Sequence, residues 1–94
     1  MKKYNIVCVN SDYTATITET HTEHKDAVDS LGCILNKYTT EEKKKFFTVY
    51  FDSSDELTIK YNGYMGKSLH AKYFILEYED NTGKKPFDFI KSNI

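Results

Sequence analysis

One amphipathic helix constrains the fold of this chain more than any other feature. Between Ala27 and Tyr38 the apolar residues recur at the spacing of one face of a helix, with a period of about 3.6 residues. This stripe consists of Ala27, Leu31, Ile34, Leu35 and Tyr38. The rest of the chain reads as short, β-rich segments. One apolar stripe among many strands predicts a sheet with a helix across one face.

Two predicted strands precede the helix. Tyr4–Val9 is apolar on both faces, which is typical of a central strand, and Tyr13–Glu19 alternates like a half-buried antiparallel strand. The turn residues at 10–12 join them into a hairpin. Thr20-His21-Thr22-Glu23 matches a capping box, so we expect the helix to begin between Thr20 and Thr22 and to end near Tyr38. Close approach to a strand is the expected reason for Gly32 in mid-helix.

The chain after the helix predicts further strands. The second Thr-x-x-Glu signature, at 39–42, leaves room for one or two helical turns before a strand at Phe46–Phe51. A turn at 52–55 leads to a strand over Leu57–Tyr61, and Asn62-Gly63 predicts a type I′ hairpin turn. The apolar phase of the return strand then changes, which predicts a bulge between Ala71 and Phe74. The tail Pro86–Ile94 fits a short helix or an extended arm.

These segments predict the order β-β-α-β-β-β. We expect an α+β fold, with a four- or five-stranded, mainly antiparallel sheet and one amphipathic helix packed on one face. The 94 residues are expected to form a single domain, 1–94.

Composition argues against several classes of function. The chain carries 13 basic and 14 acidic residues, and every basic residue is lysine. This balance makes neither nucleic acid nor an anionic membrane the default partner, and the absence of arginine disfavours phosphate-clamping sites. No apolar run approaches the ~20 residues of a membrane span, and the N-terminal residues do not resemble a signal peptide. Two cysteines are too few for a disulfide scaffold, so we expect a cytoplasmic protein.

The best candidate metal ligands are Cys8, His21, His24 and Cys33. Zinc needs converging donors, and these cysteines form no close pair. Cys33 also points away from the apolar stripe of the helix. We therefore predict neither a metal nor a cofactor, and interpret the histidines as solvated residues beside a helix start.

No catalytic constellation stands out. The stretch 63–68 resembles a phosphate-binding loop but has the wrong glycine spacing, and a hairpin explains it better. His70 and Ser68 lie near each other on a strand without any nucleophile motif, so we interpret His70 as a surface residue. The carboxylates Asp52, Asp55 and Glu56 belong to a solvated turn. The sequence predicts a protein that is not an enzyme.

Tyrosine is the most informative residue type. The chain has eight tyrosines and six phenylalanines, more than a core of this size requires. Surplus tyrosines on consecutive strands are expected to line the sheet face that the helix leaves uncovered, where they would bind a partner. An acidic rim adds to this surface. The predicted partner-binding residues are Tyr50, Tyr61, Tyr64, Tyr73, Tyr78, Asp52, Asp55 and Glu56, with Glu77 and Glu79 completing the rim.

The expected function is that of a small protein-interaction module that docks on another protein through the aromatic face, the acidic rim or an edge strand. A phage or mobile-element accessory protein that inhibits a host enzyme or defence complex is one form of it. The alternative is an oligomeric protein that binds or sequesters a small ligand or nucleotide, with a tyrosine pocket between subunits. A third hypothesis is a nucleic-acid-binding module that uses Lys43-Lys44-Lys45 and stacking tyrosines.

Overall fold

The structure, a computed structural model, describes residues 1–79. These residues form one five-stranded antiparallel sheet with one α-helix packed against it, so the α+β prediction is confirmed. A short 3₁₀ turn at Lys43–Lys45 follows the helix. The elements are β1 (Lys2–Asn10), β2 (Ala15–His21), α1 (His24–Tyr38), β3 (Phe47–Ser53), β4 (Glu56–Gly63) and β5 (Gly66–Glu79). The predicted helix or arm at Pro86–Ile94 lies outside the described residues.

The strands lie in the order β2-β1-β5-β4-β3. The last strand of the chain is therefore the middle strand of the sheet, and it pairs with both β1 and β4. The interior position of β1 agrees with its apolar residues on both faces. The two edges are formed by β2 and β3.

The core lies between α1 and one face of the sheet. Ile6, Ala27 and Leu31 are completely buried there, with partly buried Tyr4, Ile34, Tyr73 and Ile75 packed around them. Leu57 and Ile59 of β4 are also completely buried. Burial of each large aliphatic side chain contributes about 1.5–3 kcal/mol. The predicted helical stripe is therefore the face that α1 buries.

The predicted start of the helix was wrong. Thr20 and His21 belong to β2 and pair with Asn5 and Tyr4, so α1 begins at His24 after an N-cap residue, Glu23, that makes no capping side-chain bond. Pairing with β1 occupies the backbone that the capping box would have needed. One 3₁₀ turn follows the second signature, as predicted. The capping bond differs, because the Thr40 hydroxyl accepts from the Lys43 amide while the Thr39 hydroxyl donates to the carbonyl of Asn36.

Three local predictions also need correction. A Cβ built on Gly32 meets nothing within 4 Å, so no strand lies close to that glycine. The hairpin loop between β4 and β5 consists of Tyr64 and Met65, since Gly63 pairs with Gly66. The register shift lies between Ile59 and Lys60, which pair with Ala71 and Leu69, so the extra residue on β5 is His70. The phase change is real, but it falls before Ala71 rather than after it.

The β4–β5 hairpin extends beyond the rest of the sheet. Pairing between β1 and β5 ends where Asn10 meets Ala71, so the first five residues of β5, 66–70, have no β1 neighbour. At about 3.3 Å per residue they project roughly 16 Å past β1. On the other side β3 accompanies β4 only as far as Phe47 and Tyr61, and an Asn62 amide to Phe46 carbonyl bond of 2.8 Å continues that contact.

Candidate interaction surface

The predicted partner-binding tyrosines do not share one face. Side chains alternate along a strand, so residues of β4 and β5 that pair with core positions face α1. Tyr73 pairs with Cys8 and Leu57 and packs against the core, and Tyr61 lies two residues after Ile59 on the same side. The expectation that all five line the uncovered face is therefore wrong for these two. Tyr50 and Tyr78 lie on the uncovered face, and Tyr64 lies at the hairpin tip.

Tyr73 is a core residue with a perturbed phenol. Burial, followed by hydrogen bonding with the Cys8 side chain, raises the pKa of Tyr73 above its ordinary value. Its hydroxyl stays protonated at neutral pH, and its side chain is partly buried against the core. Tyr73 is thus poorly placed to contact a partner.

The hairpin tip presents two large apolar side chains to solvent. Tyr64 is 102% exposed and Met65 is 93% exposed. Tight turns usually carry Gly, Asn, Asp, Ser or Pro at such positions. The adjoining Gly66 has φ = +128°, a conformation that permits the tight loop and that residues with a side chain rarely adopt. Sequence reasoning had missed Met65, although the glycines on either side of Tyr64-Met65 could have indicated the loop.

Aromatic contacts hold the base of this hairpin. The Phe47 ring lies 4.7 Å from the His70 ring and 5.9 Å from the Tyr61 ring, centroid to centroid. Tyr38, at the end of α1, packs its ring edge-on to Phe47 at 5.1 Å. These rings connect α1, β3, β4 and β5 at one point. The tip therefore projects from a braced base and not from a loose loop.

Lysines surround the same aromatic residues. The Lys60 and Lys67 ammonium groups lie 5.5 and 5.7 Å from the centroid of the Tyr50 ring, and Lys67 also donates a 3.3 Å hydrogen bond to the Tyr50 hydroxyl. Lys43 lies 5.9 Å from the Phe47 ring centroid. Distances of this size allow cation–π attraction.

Charge is segregated along the molecule. We define the hairpin end as residues 37–47, 60–70 and Tyr50; it contains six lysines and two glutamates: Lys37, Lys43, Lys44, Lys45, Lys60, Lys67, Glu41 and Glu42. The remaining described residues carry four lysines and ten carboxylates. The hairpin end is thus basic, although the whole chain has a formal charge of −1.

The predicted acidic rim is occupied by contacts within the chain. Its contacts are Asp52 with the Thr58 hydroxyl (2.8 Å), Asp55 with His24 (2.8 Å), Glu56 with Lys72 (3.8 Å), Glu77 with Lys2 (3.0 Å) and Glu79 with the N-terminal ammonium (2.7 Å). Exposed pairs of this kind contribute little stability. They reduce the charge that the rim offers to a basic partner.

The candidate metal and catalytic residues are dispersed. Cys8 is buried on β1 and Cys33 is exposed on α1, as its helical position predicted. His24 contacts Asp55 and His21 contacts Ser30, at 3.2 Å. Within residues 1–79 no three His, Cys, Asp or Glu side chains lie close enough to hold a metal ion. The structure shows no pocket among these residues.

His70 is not the surface residue that the sequence suggested. It is half-buried, packs against Phe47, and has the Tyr38 hydroxyl at 3.4 Å from its Nε2. The bulge turns its ring toward α1, which makes it a structural contact of the hairpin base.

The uncovered sheet face is partly apolar. Ile17 and Leu76 are 58% and 48% exposed there, and Val7, which pairs with Ile17, is buried. No helix within residues 1–79 is long and apolar enough to cross a membrane.

Comparison with known proteins adds no relative. No protein-family model matches the chain, and neither a curated protein nor a solved structure matches it.

Proposed function

We propose that this chain is a non-catalytic protein-interaction module that docks on another protein through its hairpin end. The observation that carries the proposal is the pair Tyr64 and Met65, fully exposed at the tip of a projecting hairpin. Aromatic and methionine side chains are enriched where proteins bind one another, and a few such anchors carry most of the binding energy.

The braced base supports the proposal. Because Phe47, Tyr61 and His70 pack together beneath the tip, the backbone at the base of the hairpin is already ordered before a partner binds. Preorganisation of this kind raises affinity without adding contacts. Tyr50 and Tyr61, each partly exposed, lie on opposite faces at the same end and extend the surface.

Charge indicates the character of the partner. The lysines around the tip favour a protein surface that combines an apolar pocket with surrounding carboxylates. An inhibitor of a host enzyme or defence complex is one form of this proposal. That form requires the tip to occupy a functional cleft, which a substrate or ligand of the target would then compete for.

Nucleic acid is the second candidate. Lysines over the Tyr50 ring and a basic hairpin end are features that proteins also use to bind single strands by stacking and charge. Such binding falls steeply as salt rises, whereas an interface anchored by Tyr64 and Met65 is much less sensitive. The small-ligand alternative requires a pocket formed between chains.

Site-specific crosslinking tests the proposal. A photoreactive phenylalanine analogue replaces Tyr64 in one protein and Tyr13 in another. Each protein is incubated with nuclease-treated and with untreated bacterial lysate. Tyr13 is the matched control, because it is also exposed, at 78%, in the turn of the other hairpin. We expect one protein to crosslink at position 64 and not at position 13, in both lysates.

The double variant Tyr64→Ala/Met65→Ala completes the test. Loss of two anchors worth about 2 kcal/mol each should weaken capture of the crosslinked protein by a hundredfold or more. Tyr13→Ala should leave it unchanged. Equal capture by all three proteins contradicts the proposal, and recovery only from untreated lysate replaces it with nucleic-acid binding.

A further inference from the structure

Within the part of the chain that the structure describes, the edge strand β3 is paired on one side only. Its inner side pairs with β4, and within residues 1–79 its outer side pairs with no strand. Edge strands usually carry lysine, proline or inward-pointing charge, which prevent such pairing. Phe47–Ser53 reads FTVYFDS, without lysine or proline and with one charge, Asp52, near its end. The other edge, β2, is rich in threonine, and its register shift lies at its centre, whereas the shift in β3 lies near the end of the strand, between Phe51 and Ser53.

The ladder shows which β3 groups face outward. The Asn62 amide donates to the Phe46 carbonyl, so residues 46 and 62 form a hydrogen-bonded pair. Such pairs alternate along an antiparallel ladder, so Thr48 and Tyr50 bond to β4. The backbone N–H and C=O groups of Phe47, Val49 and Phe51 therefore point away from the sheet, toward any strand that adds there.

We propose that a second copy of this chain occupies this edge, with the two β3 strands antiparallel about a two-fold axis at Tyr50. Symmetry then places Phe47 opposite Ser53 of the other copy. The regular ladder across the axis covers residues 49–51, because β3 has a register shift between Phe51 and Ser53. Val49 and Phe51 form hydrogen-bonded pairs across the axis. The result is a continuous ten-stranded sheet.

Charge complementarity selects a second copy as the occupant. The chain enters β3 through Lys43, Lys44 and Lys45. Asp52, Asp55 and Glu56 lie at the far end of the strand, where each carboxylate also makes a contact within its own chain. Antiparallel pairing brings the basic entry of each copy to the acidic exit of the other, twice by symmetry. A parallel arrangement would instead place like charges together, which is unfavourable.

The dimer has a consequence for the hairpin ends. Because the two copies run antiparallel, their Tyr64-Met65 tips point in opposite directions from the ends of one sheet. Each tip stays free, so the assembly is bivalent. Tyr50 belongs to both surfaces, but the dimer depends on the backbone edge of β3 and the function proposed above on the Tyr64 and Met65 side chains. The two proposals are tested with different variants and can fail separately.

The molecular mass in solution is the first test. Light scattering after size exclusion, over a dilution series, should give twice the 11.0 kDa mass of the chain. Phe51→Pro removes an outward N–H without removing a bond to β4. The control Phe51→Ala loses the same exposed side chain but keeps the amide. We expect Phe51→Pro to weaken dimerisation by about tenfold or more relative to Phe51→Ala.

A second test uses disulfide formation, so its result does not depend on whether β3 folds with a proline. In a Cys33→Ser background, Tyr50→Cys places two thiols opposite each other in a non-hydrogen-bonded pair, where Cα atoms lie about 4.5 Å apart. Thr48→Cys places them roughly 13 Å apart along the strand. Mild oxidation should therefore crosslink Tyr50→Cys and leave Thr48→Cys monomeric under denaturing electrophoresis.

Contrary results are clear. A monomeric wild-type mass at every concentration overturns the proposal. Equal dimer dissociation constants for Phe51→Pro and Phe51→Ala, with Phe51→Pro shown to be folded by circular dichroism, also overturn it. A disulfide crosslink at position 48 instead of position 50 does the same.

Discussion

The His70 ring lies 4.7 Å from the Phe47 ring, and this contact joins β5 to β3 across the intervening strand β4. The extra residue in the β5 ladder is what makes the contact possible, since the bulge turns His70 to the face that α1 covers. Tyr38 closes the cluster from the helix at 5.1 Å from Phe47. The base of the projecting hairpin thus depends on one irregular position.

Removal of the His70 ring should loosen the hairpin. We expect His70→Ala to lower the free energy of unfolding by about 1–3 kcal/mol, because it removes half-buried packing and an aromatic pair. Urea unfolding monitored by circular dichroism measures the change. The control Ser68→Ala, exposed on the same strand, should stay within about 0.5 kcal/mol of wild type. Equal losses of stability in His70→Ala and Ser68→Ala would show that the His70, Phe47 and Tyr38 rings do not brace the hairpin.

Two glycines should respond in opposite directions to the same substitution. Gly66 has φ = +128°, so Gly66→Ala should destabilise the protein by about 1–3 kcal/mol. Gly32 lies inside α1 with open space around it, so Gly32→Ala should stabilise by roughly 0.5–1 kcal/mol. Thermal unfolding of the two variants beside wild type tests both. A loss of stability on Gly32→Ala would contradict the open space at that site.

Stability should fall at alkaline pH because of Tyr73. Its pKa is raised in the folded state above the ordinary value of 10.0, so folding favours the protonated phenol. That contribution is fully present below about pH 10 and is lost as pH rises toward the folded pKa. Urea unfolding between about pH 8 and pH 11 should show that the free energy of unfolding falls less in Tyr73→Phe than in wild type. The control Tyr64→Phe, at the exposed tip, should keep the wild-type dependence.

The two thiols should differ in reactivity. Cys33 is exposed and Cys8 is buried. A disulfide-exchange reagent should modify Cys33 rapidly in the native protein, while Cys8 reacts at a rate limited by opening of the fold. Cys33→Ser should abolish the fast phase and leave the slow one. A fast phase that persists in this variant would place Cys8 at the surface.

Local sequence patterns were sufficient for the fold class. The apolar stripe from Ala27 to Tyr38 identified the face that α1 buries, and the β-rich run at Phe46–Phe51 identified the strand β3. These patterns work because each residue's contact with the core depends on the period of its own element. The number and type of elements followed from them.

The candidate site depended on details that no local pattern contains. The sequence by itself determined that surplus tyrosines exist and that two glycines bracket Tyr64 and Met65. Tertiary structure alone decided the strand order, the side on which Tyr73 lies, and the projection of the hairpin past β1. The physical reason is that strand pairing joins residues far apart in the chain. One extra residue, His70, also shifts the side-chain alternation, and packing against Phe47 and Tyr38 determines where that shift occurs.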